Sequence, residues 1–478
     1  MENTSNEERM VYWDGAGHII PHLLYRFLVF CGFGKYFHDN KRLKNSENIL
    51  IKRSRNIISE VNIGYLLETV NKYIQDYFAE EGDPGPVLDS LHKSTSLFGD
   101  KNLKLLPILN LEFISDTKDT CYFFFRNGVV KVTDQSVSVH NYDEFDRYVW
   151  ENNIINIDFV PVSTDDLGTK CNFHSFLYDL TIVRDVTNSA ARLKSLKSAV
   201  GYLLHRYKDG NTNQAVILMD IYVNGMPNGG SGKSLLINSI GKIRNLATID
   251  GKKYDQAEWF ALSSVGLDSE ILLFDDVKKE FDFEQIFTLM SGGMYIRRKY
   301  KDHVHIPHEK SPKVAITTNY AVNGDSSSHK RRKFEFEVST TYCADYSPRE
   351  KFGKNFFDDW SELEWNYFYN TMMGCVQIYL NEGLVQAKPI NLNLTKMINR
   401  TNEEFVEWAE IKITTEIQYD KKKLYDNFVK AYPEYSGKLK QRDFTFWLRA
   451  FGDYKKFNLS ESHSGDFRYI TFNEKQES

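Results

Sequence analysis

Apolar and polar positions change rhythm along the chain. In the front part Ile57, Ile58, Val61, Ile63, Leu66, Leu67 and Val70 recur at roughly helical spacing, which predicts a helix across them. The stretch Glu80-Glu81-Gly82-Asp83-Pro84-Gly85-Pro86 breaks that pattern, because paired prolines and glycines make a continuous element unfavourable. Beyond it, Cys121 to Phe125, Asn127-Gly128 and Val129 to Val132 predict a hairpin.

The middle of the chain alternates differently. A helix is expected from about Ala190 to Tyr207, and Val216 to Val223, Ile271 to Phe274 and Val314 to Thr317 are short apolar strand cores separated by helical stretches. That alternation predicts a parallel sheet covered on both faces. A polar connector runs from about Gln386 to Asn402. After it, Phe444, Trp447, Leu448 and Phe451 fall at i, i+3, i+4 and i+7, an amphipathic helix, and Lys455 to Phe472 predicts two short strands around Ser464-Gly465. Helix, helix and hairpin in this order resemble a winged helix.

Composition narrows the classes. At 478 residues the chain has room for about three domains. Lys and Arg number 60 against 65 Asp and Glu, a net charge of −5, which excludes a uniformly basic nucleic-acid coat and leaves only a local basic patch for such contacts. The five cysteines (Cys31, Cys121, Cys171, Cys343, Cys375) form no C-x-x-C pair, against both a disulfide framework and a zinc ribbon. The polar N-terminus lacks the order of a signal peptide, and the apolar stretch Leu23 to Phe33 contains Arg26 and is too short for a bilayer. The expectation is a soluble, reduced, cytoplasmic protein with no membrane partner (host-cell cytoplasm if it is phage-encoded).

The sharpest chemical signal follows the Val216 to Val223 run: Asn228, Gly229, Gly230, Ser231, Gly232, Lys233, Ser234 and Leu235, opening a helical stretch. Glycines let consecutive N–H groups turn inward around phosphates, Lys233 can reach the β and γ phosphates, and the Ser234 hydroxyl can ligate Mg²⁺. The motif departs from the usual spacing, since Pro227 stands where the first glycine of G-x-x-x-x-G-K-S belongs. A flexible turn with a solvated lysine is the alternative; the strand before and the helix after favour phosphate.

Three further motifs follow. Ile271 to Phe274 ends in Asp275 and Asp276, where Asp275 would hold Mg²⁺ with Ser234, and Asp276 would orient or deprotonate a water. Lys313 to Thr318 ends in Asn319, an uncharged donor and acceptor suited to sensing a γ-phosphate. His329-Lys330-Arg331-Arg332-Lys333 offers guanidinium groups that can stabilise transferring phosphate from a neighbouring copy. Each has a plain reading when alone: a capped strand end, an Asn turn, a solvated basic turn.

Together, and in this order, the motifs resemble a superfamily 3 helicase, in particular the AAA+-like helicase of phage and plasmid primase-helicases. The resemblance covers about Ala190 to Leu384, including Asp359-Trp360, Glu364-Trp365 and Gly383-Leu384. It implies an α/β, AAA+-like P-loop parallel sheet core (186–385), and is looser toward both ends, where the residue pattern itself sets off an N-terminal α+β domain (1–185), a connector (386–402) and a C-terminal winged-helix-like domain (403–478). It implies an ATP hydrolase using ATP and Mg²⁺, a homo-oligomer, usually a hexamer, and translocation on single-stranded or forked DNA. A primase or polymerase is the partner such a helicase would serve.

The family also places a channel-lining hairpin between the acidic and Asn strands. Here Ile296 to Ile306 carries four basic residues against one acid, between Gly292-Gly293 and Pro307. Alternation sets Arg298, Tyr300 and Asp302 on one face and Arg297, Lys299, Lys301 and His303 on the other, the face expected to meet DNA. A solvated edge hairpin is the alternative. His303, His305 and His308 form no convincing zinc set. A nucleotide-switched origin-binding or loader protein, or a packaging or signalling P-loop ATPase, would use many of the same residues.

Overall fold

The structure is a computed structural model that describes residues 10–37, 48–80, 82–183, 188–211, 213–221, 229–266, 268–297, 304–324 and 326–474. The chain divides into two compact units: residues up to 161 apart from 133–135, and the remainder. That boundary falls earlier than residue 185, because helices Thr164–Lys170 and Asn172–Asp179 belong with the second unit.

The first unit mixes helices with two small sheets. Strands Phe33–Phe37, Asn48–Ser54 and Ile57–Glu60 pair antiparallel, and Val149–Trp150 joins the third in parallel. Ile57 and Ile58 are therefore strand, not the start of a helix. The helix Ile63–Tyr77 starts only after Asn62, whose side chain accepts from the Tyr65 N–H at 2.9 Å. Leu66, Val70 and Ile74 form its buried stripe, packed with Tyr12, Phe27 and Phe33. In the second sheet Cys121–Phe125 and Gly128–Val132 make the expected hairpin, with Arg126-Asn127 as the loop.

The second unit is built around five parallel strands in the order Leu246–Asp250, Ile271–Val277, Lys313–Thr318, Ala215–Asp220, Lys333–Val338. The three central strands are almost wholly buried and apolar through their middles, as a sheet covered on both faces requires. The strand leading to Lys233 lies between the Asn strand and the strand that follows Arg332. Its neighbours thus come from the far end of the motif series, the arrangement that opens a ligand crevice at the carboxyl edge.

Helices Ser189–Leu204 and Glu362–Glu382 pack closely on this core. A Cβ added at Gly201 would lie 2.1 Å from the Cys375 carbonyl oxygen, so glycine is what allows the backbones to approach. Ser361 and Glu364 form a reciprocal cap on the longer helix. The segment expected to be a polar connector contains the helix Leu392–Arg400, with Leu392, Met397 and Ile398 buried. It is moored to the sheet: Lys396 pairs with Glu335 at 2.8 Å, and the N–H groups of Ile390 and Asn391 donate to Glu337.

Beyond it lie helices Glu403–Lys412, Lys421–Ala431 and Gln441–Lys455 and a three-stranded sheet in the order Gln418–Asp420, Phe467–Asn473, Asn458–Ser464. Phe444, Leu448 and Phe451 are buried on the last helix beside Phe405 and Phe428, and Trp447 packs against them. Among the described residues no helix is long and apolar enough to cross a membrane.

Candidate nucleotide site at the carboxyl edge of the sheet

Each motif residue is placed by its strand end. Helix Lys233–Ile240 begins where the P-loop strand's crevice opens, preceded by Gly232 at φ 94°, a left-handed conformation that glycine adopts freely. A Cβ there would sit 3.1 Å from the Phe176 ring, so the turn is backed tightly by the helix Asn172–Asp179. That backing is itself braced: Asp179, buried, accepts from Lys351 Nζ at 2.6 Å and from the Tyr342 hydroxyl. Burial and the Asp179 carboxylate push the Tyr342 phenol well above its ordinary range.

Lys233 is 7% exposed and its ammonium touches three acceptors: Asp220 Oδ1 at 2.5 Å, Ser231 Oγ at 3.0 Å and Asn319 Oδ1 at 3.1 Å. The Ser234 hydroxyl donates to Asp275 Oδ1 at 2.9 Å. Thr317 Oγ1 donates to the same oxygen at 2.5 Å and accepts from the Asp276 N–H at 2.8 Å. The bonds fall into two sets that meet only at the Lys233-Ser234 peptide: Lys233 with Asp220, Ser231 and Asn319, and Asp275 with Ser234 and Thr317.

Asp276 is handled differently. The register slips between Phe274 and Val277, and Asp276 has φ 54°. Bulges re-aim side chains, and a non-glycine residue in this region is strained. Its carboxylate pairs with Lys252 Nζ at 2.5 Å and makes no described contact with the Lys233 set. Lys252 follows the strand Leu246–Asp250, whose next residue, Gly251, donates to the Asp275 carbonyl at 2.7 Å.

Arg331 and Arg332 stand at the opposite edge. The Ala215 N–H donates to the Arg332 carbonyl at 2.8 Å, and Lys333 opposes Ala215, the first residue of the P-loop strand. Asp220 closes that strand, about 17 Å away at about 3.3 Å per residue. The arginines are thus not brought to the Lys233 of their own chain. Arg332 lies over the Phe287 ring at 4.6 Å and donates to the Ser328 carbonyl, whereas Arg331 is exposed.

The hairpin after Gly293 pairs Met294–Ile296 with Val304–Ile306, Tyr295 opposite His305. Arg297 lies over the Trp259 ring at 3.8 Å. Lys299, Lys301 and His303, with Arg298, Tyr300 and Asp302, lie outside the described residues, as do Asn228, Pro227 and Val223. His305 stacks on Tyr295 at 4.4 Å, and His308 Nε2 bonds the Asp209 carbonyl at 3.0 Å. Gly229 lies exposed in the turn before Gly230, and Ser234 and Leu235 belong to the first turn of the helix Lys233–Ile240.

The donor set fits a magnesium-bound nucleotide. Ser234 Oγ and Asp275 are hard oxygen donors already in contact, the type Mg²⁺ selects, while Lys233 and the first N–H groups of its helix suit phosphate. When bound, Mg²⁺-ATP supplies the phosphoanhydride bond to be broken. With such a ligand Lys233 would be the group to neutralise phosphate, while Thr317 orients Asp275 and Asn319 lies beside the lysine.

Asp220, Thr317 and Lys252 escaped the sequence reading. Thr317 sits inside the apolar run and Asp220 inside a strand, so neither stood out as part of a motif.

No family model matches the sequence, and neither does any curated protein. Among solved structures the chain is similar to the C-terminal region of NrS-1 (residues 305–718, apo A form), at 13% identity and TM-score 0.43, covering 95% of this chain and 100% of that one. It is also similar to the JCV helicase, at 11% identity and TM-score 0.27 over 51% of this chain and 61% of that one. A full-length MCM homolog from Methanopyrus kandleri gives 10% identity and TM-score 0.23 over 52% of each chain. Likenesses this distant carry no argument about what the chain does.

Proposed function

We propose that the chain is an ATP-hydrolysing DNA helicase of superfamily 3 type, acting as a ring of copies, a hexamer by the family's habit, in the replication of a phage or mobile element. ATP with Mg²⁺ binds at Lys233, Ser234 and Asp275, Asn319 senses the γ-phosphate, and Asp276 attends the attacking water. Arg331 and Arg332 complete the site of the next copy. Single-stranded or forked DNA is gripped by the hairpin around Arg297, Lys299, Lys301 and His303.

The observation that supports this best is the division of labour across one sheet. The phosphate-directed groups gather at the carboxyl edge in two adjoining hydrogen-bonded sets, Lys233 with Asn319 and Ser234 with Asp275, and the two arginines sit a full strand length away at the other. On this reading the guanidinium at the phosphates of one copy comes from Arg331 or Arg332 of another.

The test is strand displacement on a forked duplex with Mg²⁺ and ATP, comparing the intact chain with Lys233→Ala. Displacement by the intact chain alone is expected. Equal unwinding by both ends the proposal, and nucleotide-dependent DNA affinity without displacement replaces it with a loader.

A further inference from the structure

The strand that feeds the phosphate site ends on an acid. Asp220 closes Ala215–Asp220, its side chain 1% exposed, and its Oδ1 accepts from both Lys233 Nζ and Ser231 Oγ at 2.5 Å. Its other oxygen, Oδ2, is buried and has no partner among the described residues. A buried carboxylate is a costly lining for a crevice meant to receive an anion.

An ammonium has three donors, and Lys233 has three acceptors around it: Asp220, Ser231 and Asn319. The lysine is therefore saturated before any phosphate arrives. Taking it away leaves Asp220 with the Ser231 hydroxyl as its described donor, a buried charge that has lost its counter-ion.

We propose that Asp220 is a counter-ion latch on Lys233: a nucleotide's phosphate must exchange with the Asp220 carboxylate for the lysine, and Asp220 thereby holds nucleotide affinity down. Asp220 is a positioning residue in this scheme, acting through Lys233 without touching the reacting atoms. The inference rests on Lys233 being the phosphate-binding lysine.

Asp220→Asn keeps the shape and an acceptor and removes the charge. Titrating the full-length chain with Mg²⁺-ADP and with a non-hydrolysable Mg²⁺-ATP analogue should show Kd falling at least tenfold in the variant. KM for ATP should fall with it while kcat stays level or drops, since product leaves more slowly. The nucleotide-free Tm should fall, and the rise in Tm on adding Mg²⁺-ADP should grow; a merely structural role would not enlarge that rise. Unchanged or weaker nucleotide binding in Asp220→Asn overturns the latch.

If that variant does not fold, a crystal structure of the intact chain with Mg²⁺-ADP decides. Lys233 Nζ is expected beyond hydrogen-bond reach of Asp220, and an Nζ still bonded to it overturns the proposal. Lys233→Ala separates the two levels of the argument. Nucleotide binding unaffected by Lys233→Ala removes the phosphate site itself and the latch with it. Binding that needs Lys233 but gains nothing from Asp220→Asn removes the latch alone.

Discussion

The two edges of the five-stranded sheet are built to different standards. At the carboxyl edge direct hydrogen bonds join Lys233 to Asn319, and Ser234 and Thr317 to Asp275, in two adjoining sets. At the amino edge Arg332 rests on the Phe287 ring and Arg331 points into solvent. Groups that must act on a ligand within one chain are pre-organised against each other, which lowers the cost of assembling them at the moment of use. Groups meant for a different molecule have only to be presented. The contrast is what a site shared between copies would look like from one copy alone.

The largest effect that can break the comparison comes from the carboxyl edge. Lys233→Ala should abolish ATP hydrolysis and nucleotide binding together, read by phosphate release and equilibrium titration; retained turnover would dissolve the distinction between the edges. Next is the amino edge. Arg331→Ala should lose about 10³-fold in turnover, as for an arginine finger, while still assembling by light scattering. Arg332→Ala, whose side chain is braced on Phe287, should lose less, about tenfold. Mixing Arg331→Ala with Lys233→Ala copies should restore part of the activity, and no restoration at any ratio would place the whole site within one chain.

A smaller change sharpens the contrast. Thr317→Val removes the hydroxyl that orients Asp275 and receives the Asp276 N–H, and should lower kcat about tenfold with little change in KM. The smallest effect lies away from both edges. Glu461 accepts from Arg449 and Lys421, each at 2.6 Å, and those cations hold its carboxyl down at about 2, from an ordinary 4.5. A depressed folded-state value stabilises above the unfolded value and is lost as pH falls through the window from about 4.5 to about 2. Glu461→Gln should therefore lower Tm by roughly 1–3 °C at pH 7, a difference that closes as the pH approaches 2.

Legibility in the sequence followed burial. The runs Ile271 to Phe274 and Val314 to Thr317 were readable as strands because a sheet covered on both faces needs unbroken apolar residues, and the polar groups at their ends then marked the crevice. The same logic found Phe444, Leu448 and Phe451. It failed at Ile57-Ile58, where two adjacent apolar residues fit either period and the Asn62 cap decided the matter. It failed again at 392–400, where Leu394, Met397 and Ile398 do fall at i, i+3 and i+4 but the polar residues between them masked the stripe. Asp220 and Lys252 were invisible for another reason: their meaning lies in what faces them across the crevice, Lys233 for one and Asp276 for the other, and no spacing along the chain encodes that.

Glu337 draws its two backbone donors from Ile390 and Asn391, and burial already pushes its carboxyl upward. Anyone trimming the tail to isolate the five-stranded core would, by cutting at residue 385, strip the Glu337 side chain of both its N–H donors inside the sheet's edge strand and leave it only the charge of nearby Arg192. The same cut would strip Lys396 from Glu335. A shortened version that keeps the chain through Arg400 retains every one of these tethers and is the one to make.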